Sequence, residues 1–248
     1  MQGAGGSRPA SPKFLRFLRE KTQELGALLI FDEVMTSRLH WNGGLSGKYG
    51  IKPDLITMGK YLGGGMSFGL FGGRADIMNL YNPVTGGTVA AVNSRFGPSA
   101  PLSLAHSGTF NNNLMTMQAG IAGAKILTED VLTALNEKGD HLRHALSELL
   151  VLKGFIQHKP DEVIEDDIDA IPRGKVWVSG IGSLLSLHFG VNDELAELRD
   201  LYWFYLLERG FYIARRGFIT LNIALTDGHM AAFLQATGDF LDQWCAEP

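Results

Sequence analysis

Asp32 and Lys60 are the two side chains whose type and setting point to covalent chemistry. Each closes a short apolar run. Leu28-Leu29-Ile30-Phe31 leads into Asp32-Glu33-Val34, and Leu55-Ile56-Thr57-Met58 leads into Gly59-Lys60. A neutral lysine amine attacks carbonyls, and partial burial beside a cationic ring supplies that neutral form. A carboxylate on the same sheet edge can keep a ring nitrogen protonated, so that the ring draws electrons from a bound amine. Taken singly, a Gly-Lys pair is an ordinary surface lysine at a strand end, and an aspartate there an ordinary strand terminus or helix cap. Taken together, they suit a pyridoxal phosphate site. Glu33 is the competing acid, but successive strand residues point to opposite faces, so its side chain should leave that of Asp32.

Short apolar runs bounded by polar residues, Gly and Pro read as buried parallel strands, and ligands gather beyond the carboxyl ends of such strands. Ser11-Pro12 is an N-cap followed by proline at the first helical position. Phe14, Leu15, Leu18, Thr22 and Leu25 then follow at helical spacing up to Gly26. This helix and a strand over 27–32 make one step of a doubly wound sheet. Residues 36–53 read as a long loop holding Trp41 and Tyr49, of a length that is usually functional. A strand over 54–58 leads to Lys60 and the Gly63-Gly64-Gly65 turn. Another strand is expected over 67–72 and a short helix over 74–81, with a mobile loop over 82–105. Asn111-Asn112-Asn113 can cap a helix reaching about Leu127, along which Ala119, Gly120, Ala122, Gly123 and Ala124 suggest close packing.

Beyond it, Val131, Leu132, Leu135, Leu142, Leu146 and Leu150 mark a helix over about 129–151. An acidic surface connection is expected at 158–173, then strand–turn–strand at 176–190, a helix at 193–209, two short strands within 211–225 and a last helix at 227–244. The boundary falls near residue 127. The fold class is α/β, with a mostly parallel sheet in residues 1–127 and a small α+β domain in residues 128–248.

Four stretches, MQGAGG at 1–6, LLIFDEVMTSR at 28–38, KPDLITMGKYLGGGMSFGLFGGRADIM at 52–78 and HSGTFNNNLMTMQAG at 106–120, occur in order. Together they resemble the class III, fold-type I, pyridoxal phosphate-dependent aminotransferases, especially the glutamate-1-semialdehyde aminomutase-like branch. The second half of the chain matches more loosely. The resemblance implies Lys60 as the Schiff-base lysine, Asp32 on the pyridine nitrogen and Val34 against the ring. Thr109, with Ser107 as a second contact, would reach the cofactor phosphate of the neighbouring subunit of a homodimer, whereas without the resemblance Thr109 is a capping threonine. Arg215 and Arg216 are candidates for gripping a substrate carboxylate, as readily surface arginines, and Trp41 for lining the substrate entrance. In the family MQGAGG follows an earlier strand. Residue 1 is therefore expected inside the large domain, without the preceding strands and the glycine/serine-rich phosphate loop.

The remaining composition excludes more than it proposes. A chain of 248 residues, 45% hydrophobic and 19% charged, has the material for a real core. Its net charge of −4 provides no general field for nucleic acid or anionic lipid. The one cysteine, Cys245, suits a reducing compartment, and no apolar run approaches the about 20 residues that cross a bilayer. A cytoplasmic protein with no membrane or nucleic-acid partner is expected. His141 and His144 are a poor metal site without further ligands, so no metal is expected. GGLSGK at 43–48 fails as a phosphate loop because Asn42 stands where glycine is needed and Tyr49 where Ser/Thr is needed. Two classes of function follow. One is an enzyme moving an amino group between an amine or amino acid and a carbonyl acceptor, with aminomutase isomerisation as its variant. The other is a catalytically impaired remnant that associates with a full-length relative.

Overall fold

A computed structural model of the protein describes residues 1–82, 104, 106–157, 175–190 and 195–245. The expected surface connection at 158–173, and all but residues 82 and 104 of the expected loop at 82–105, lie outside them. Helix α1 (Pro12–Glu24) starts where the cap predicts, with the Ser11 Oγ accepting from the Phe14 N–H at 3.1 Å. It leads through Gly26, at φ +61°, into β1 (Ile30–Asp32). The stretch expected to be loop then folds in part. A 3-10 turn at Ser37–Leu39 and helix α2 (Gly44–Tyr49) precede β2 (Leu55–Gly59). A second 3-10 turn, Lys60–Gly63, joins β2 to β3 (Gly69–Gly73), and α3 (Ala75–Met78) continues into a turn at Asn79–Tyr81.

The first sheet has the order β1-β2-β3. β1 and β2 are parallel, as expected, whereas β3 pairs antiparallel with β2 and makes the sheet mixed. The strands also depart from the expected burial. Only Gly59 among their residues is buried, and Ile30 is 55% exposed. The sheet is anchored at its other end by Asp54, whose carboxylate receives Arg19 at 2.9 Å, Arg74 at 2.8 Å and the Leu29 N–H at 2.8 Å. Burial alone would raise this carboxyl, but Arg74, the Leu29 N–H and Arg19 hold it down at about 2.

Helices α4 (Leu114–Ile126) and α5 (Glu129–Leu152) follow at the expected places, capped by Asn113 and Thr128. Leu132, Leu135, Leu142, Leu146 and Leu150 of α5 are buried, the apolar stripe that their spacing predicts. Leu135, Leu142, Leu146 and Leu150 share a core with a second, antiparallel sheet of β4 (Val176–Ile181), β5 (Leu184–Phe189) and β6 (Phe218–Thr220). Helix α6 (Ala196–Glu208) precedes β6, and α7 (Asp227–Trp244) closes the described chain. Residues 211–225 hold one strand, not two. Phe211 and Ile213 turn their side chains onto the core, and a tight turn through Gly217, at φ +87°, leads into β6. Trp177, Phe189, Tyr202 and Phe240 are almost wholly enclosed in that core.

The two sheets lie on either side of residue 127 in the chain, and specific bonds from the N-terminal loop and the Ser37–Leu39 turn reach the second half. Ser179 donates to the Gly6 carbonyl at 2.5 Å and lies 2.7 Å from the His188 Nε2, while Ser186 donates to the Ser7 hydroxyl at 3.0 Å. Ser179 has one proton and spends it on Gly6, so His188 must donate to it through Nε2. Arg38 reaches the Leu221 carbonyl, and Asn136 donates to the Arg38 carbonyl at 2.9 Å. Among the described residues no helix is long and apolar enough to cross a membrane.

Candidate functional site

Parallel pairing aligns Asp32 with Thr57, so the carboxyl ends of β1 and β2 share one edge, and Lys60 follows directly after β2. Thr57 is the support that sequence reasoning missed. Its hydroxyl donates to Asp32 Oδ1 at 3.2 Å, and the Val34 N–H donates to the same oxygen at 3.0 Å. Asp32 Oδ2 makes no hydrogen bond among the described residues and is open to a donor, with the Met1 amino group in electrostatic reach of the carboxylate. Val34 packs beside the end of β2, its Cγ1 3.7 Å from where a Cβ on Gly59 would stand.

Lys60 is exposed, where partial burial was expected, and its amine makes no hydrogen bond or ion pair among the described residues. Its backbone is left-handed at φ +54°, a conformation that L residues with a Cβ avoid. Glu33 faces away from Asp32, as strand alternation requires, and is 2% exposed. Its carboxylate accepts from Thr36, from the Leu45 N–H at 3.1 Å and from the Ser46 N–H at 2.8 Å. It thereby satisfies the free N–H groups at the start of α2. The competing acid is a fastener for the loop that carries Trp41.

The segment carrying Ser107 and Thr109 is tied to the same sheet through aromatic rings. The His106 ring meets Phe71 of β3 edge-on at 5.3 Å and Tyr81 at 6.0 Å. Phe71 pairs with Thr57, so Asp32, Thr57 and Phe71 form one row across the sheet, and directly paired residues share a face. Ser107 and Thr109 are both exposed, with hydroxyls unpaired among the described residues. The cap of α4 is not Thr109 but Asn113, whose Oδ1 accepts from Met115 at 3.1 Å and Thr116 at 3.2 Å.

The structure separates the two arginine candidates. Arg215 is held by Asp200 in a two-pronged pair, Nε–Oδ1 2.9 Å and Nη2–Oδ2 2.6 Å, which lowers the Asp200 carboxyl. Its guanidinium is therefore occupied. Arg216 lies over the Phe218 ring at 5.7 Å with no acidic partner among the described residues. Trp41 is 55% exposed, whereas Tyr49 packs on the Leu39–Leu45 cluster and serves the core.

A cleft of about 460 Å³ lies elsewhere, between α5, α7 and residues 210–221, lined by Leu142, Phe211, Leu225 and Phe233. It contains neither Lys60 nor Asp32, and its walls are mostly apolar, with Tyr212, Thr220 and His229 among them. No group of residues suited to a metal ion occurs among the described residues. The residues present are of the kinds that pyridoxal phosphate needs: at the strand ends, an amine without hydrogen bond or ion pair among the described residues for its aldehyde and a carboxylate oxygen open to its ring N–H, and, on the separate segment of Ser107 and Thr109, unpaired hydroxyls suited to a phosphate.

Comparison with known proteins agrees with this chemistry. Residues 1–159 match the pattern of the family described as aminotransferase class-III. The chain is 43% identical to a β-phenylalanine transaminase of Variovorax paradoxus, covering 97% of this chain and 50% of that protein. A glutamate-1-semialdehyde 2,1-aminomutase of Clostridium kluyveri is 33% identical over 96% of this chain and 51% of its own. The crystal structure of a β-phenylalanine aminotransferase from Variovorax paradoxus superposes with a TM-score of 0.81 at 42% identity, covering 99% of this chain and 51% of that one. The chain spans about half the length of these relatives. The paired strand ends, the free amine and carboxylate and these similarities converge on one conclusion: the chain belongs to the class-III aminotransferase family.

Proposed function

We propose that the chain carries the lysine and carboxylate of a pyridoxal phosphate-dependent transaminase site, one that moves an amino group between an amine or amino acid and a carbonyl acceptor. The observation that carries this reading is that Asp32, with one carboxylate oxygen free of hydrogen bonds, and Lys60 both stand at the carboxyl ends of two paired parallel strands. The bound cofactor supplies an electron-withdrawing ring and a carbonyl that takes the amino group. Lys60 is the residue that would hold it covalently, and its free amine would carry a proton to and from the carbon bearing the amino group. Asp32 would accept from the ring N–H and Val34 would lie against the ring. Thr109 and Ser107 donate to the phosphate of the neighbouring subunit in a homodimer. Arg216, the arginine without an acidic partner, pairs with a substrate carboxylate at an entrance bordered by Trp41. Over a full cycle the donor exchanges its amino group for the carbonyl oxygen of the acceptor, so no outside oxidant is needed. The setting is the cytoplasm. Transfer between two molecules is favoured over aminomutase isomerisation because the relative at 43% identity is a transaminase and the one at 33% an aminomutase.

The test uses the 248-residue chain mixed with pyridoxal phosphate, reduced with borohydride and mapped by peptide mass. One adduct per chain on Lys60, absent from Lys60→Ala, is the expected result. Label scattered over surface lysines would sink the proposal. An aryl β-amino acid offered with a 2-oxo acid should then yield a new amino acid. Isomerisation of an amino aldehyde without any acceptor would instead assign the aminomutase reaction.

A further inference from the structure

The turn that carries Lys60 does not stand alone. Helix α4 lies against it at backbone contact distance. A Cβ on Gly120 would stand 2.7 Å from the Leu62 carbonyl oxygen, and a Cβ on Gly64 would stand 2.0 Å from the Ala119 carbonyl oxygen. Gly123 is the next contact, with its Cβ position 3.4 Å from the Gly64 Cα. Gly64 itself is left-handed at φ +60°, and Lys60 shares that conformation without the freedom of glycine. No residue of α4 is buried, so the helix has no core of its own to hold it. Its small-residue face is spent on this one turn.

We propose that the glycine face of α4, through Gly120 and the Ala119 carbonyl, is a positioning device that holds the Lys60–Gly63 turn and so keeps Lys60 in its left-handed conformation at the end of β2. The use of that lysine rests on the amino-transfer reading above, but the mechanical claim does not. Strained backbone persists where its surroundings over-determine it. Here two hydrogen bonds close the turn, Gly64 N–H to the Tyr61 carbonyl at 3.0 Å and Met66 N–H to the Gly63 carbonyl at 3.0 Å, and the backbone of α4 covers it. A methyl group at position 120 meets a carbonyl oxygen that has no flexible end to give, so the turn must move. The same α4 begins just after Ser107 and Thr109, so one helix connects the segment proposed to hold Lys60 with the segment proposed to reach the neighbouring subunit's cofactor.

Hydrogen exchange on the full 248-residue chain separates this from a plain folding role. Alanine is the better helix former, so helix propensity alone would slow exchange within α4 in Gly120→Ala. Positioning predicts the opposite at a distance. The Gly64 and Met66 amides should exchange about tenfold faster, with β4 and β5 unchanged. Gly123→Ala, at the looser contact, should speed the same two amides about two- to threefold, and it decides the question if Gly120→Ala does not fold. Rates at Gly64 and Met66 equal to wild type, or an acceleration spread evenly over both sheets, would overturn the proposal. Borohydride trapping adds the chemical readout. The fraction of pyridoxal phosphate fixed on Lys60 should fall in the order wild type, Gly123→Ala, Gly120→Ala. Wild type failing to trap any would refute the amino-transfer reading, and the exchange rates would still decide the positioning claim.

Discussion

The two sheets of this protein divide its labour unequally. The first carries the lysine and the carboxylate on three short strands with one buried residue among them. The second carries the enclosed core, with Leu146, Leu150, Val176, Leu185, Leu187 and Phe240 at or below 1% exposure. The proposed chemistry thus sits on the poorly covered sheet, and most of the apolar burial sits away from it. Elements that hold ligands and move are drawn from the less stable end of a structure, whereas enclosed cores set its overall stability. In the first sheet polar bonds do what apolar burial does in the second: Asp54 ties one end, Thr57 fixes Asp32, and Glu33 fastens the loop between β1 and β2.

The sharpest way to break this contrast is to make the same truncation on both sides. Leu146→Ala, at a fully enclosed site, should cost about 2–5 kcal/mol, and Leu70→Ala, 38% exposed in β3, should cost under about 1 kcal/mol. Urea denaturation followed by tryptophan fluorescence measures both, and equal costs would erase the distinction.

Next in size is Asp54, which tests whether polar anchoring carries the first sheet. Its folded carboxyl is held near 2, below its value in an unfolded chain, so the folded form binds fewer protons. The stabilisation is therefore complete above about pH 4–5 and is lost as pH falls through the folded value, with a full size of about 2 kcal/mol. Wild type should lose stability more steeply than Asp54→Asn between pH 5 and about pH 2. Parallel pH profiles would show that the two arginines contribute nothing.

The smallest effects are expected from the arginine pair. The Arg215–Asp200 pair is solvent-exposed, and exposed pairs contribute little. Arg215→Ala should leave the melting temperature and the KM for a carboxylate-bearing donor unchanged, whereas Arg216→Ala should raise that KM. A reversed result in steady-state assays would exchange the roles of the two residues.

What the sequence revealed follows the same division. Helix α1 was legible from its capping residues and apolar spacing, α5 from apolar spacing, and β1 and β2 from apolar runs ending in polar groups. The side chains proposed for the site came from those run ends and from the family resemblance. The antiparallel sense of β3 was not legible, because a GLFGG stretch has the same composition in either direction. α2 was missed because its helix, GLSGKY, is rich in glycine and is started by the Glu33 carboxylate from outside the loop. Thr57 reads as one more β-branched strand residue until the register sets it beside Asp32. The pairing of Arg215 with Asp200 is a contact between separate elements and leaves no local mark.

The N-terminal loop has a further consequence. Gly6 and Ser7 come first in the chain yet are bonded to Ser179 and Ser186 of the second sheet, and the Arg8 guanidinium lies 5.4 Å from the Trp177 ring centroid. Two polypeptides divided near residue 127 would each keep a surface shaped for the other, because the first would carry a piece of lining that the second lacks. The joint between the helices α4 and α5 is accordingly a natural place to split this protein into a reconstituting pair, with recovery of the Trp177 fluorescence reporting that the two have met.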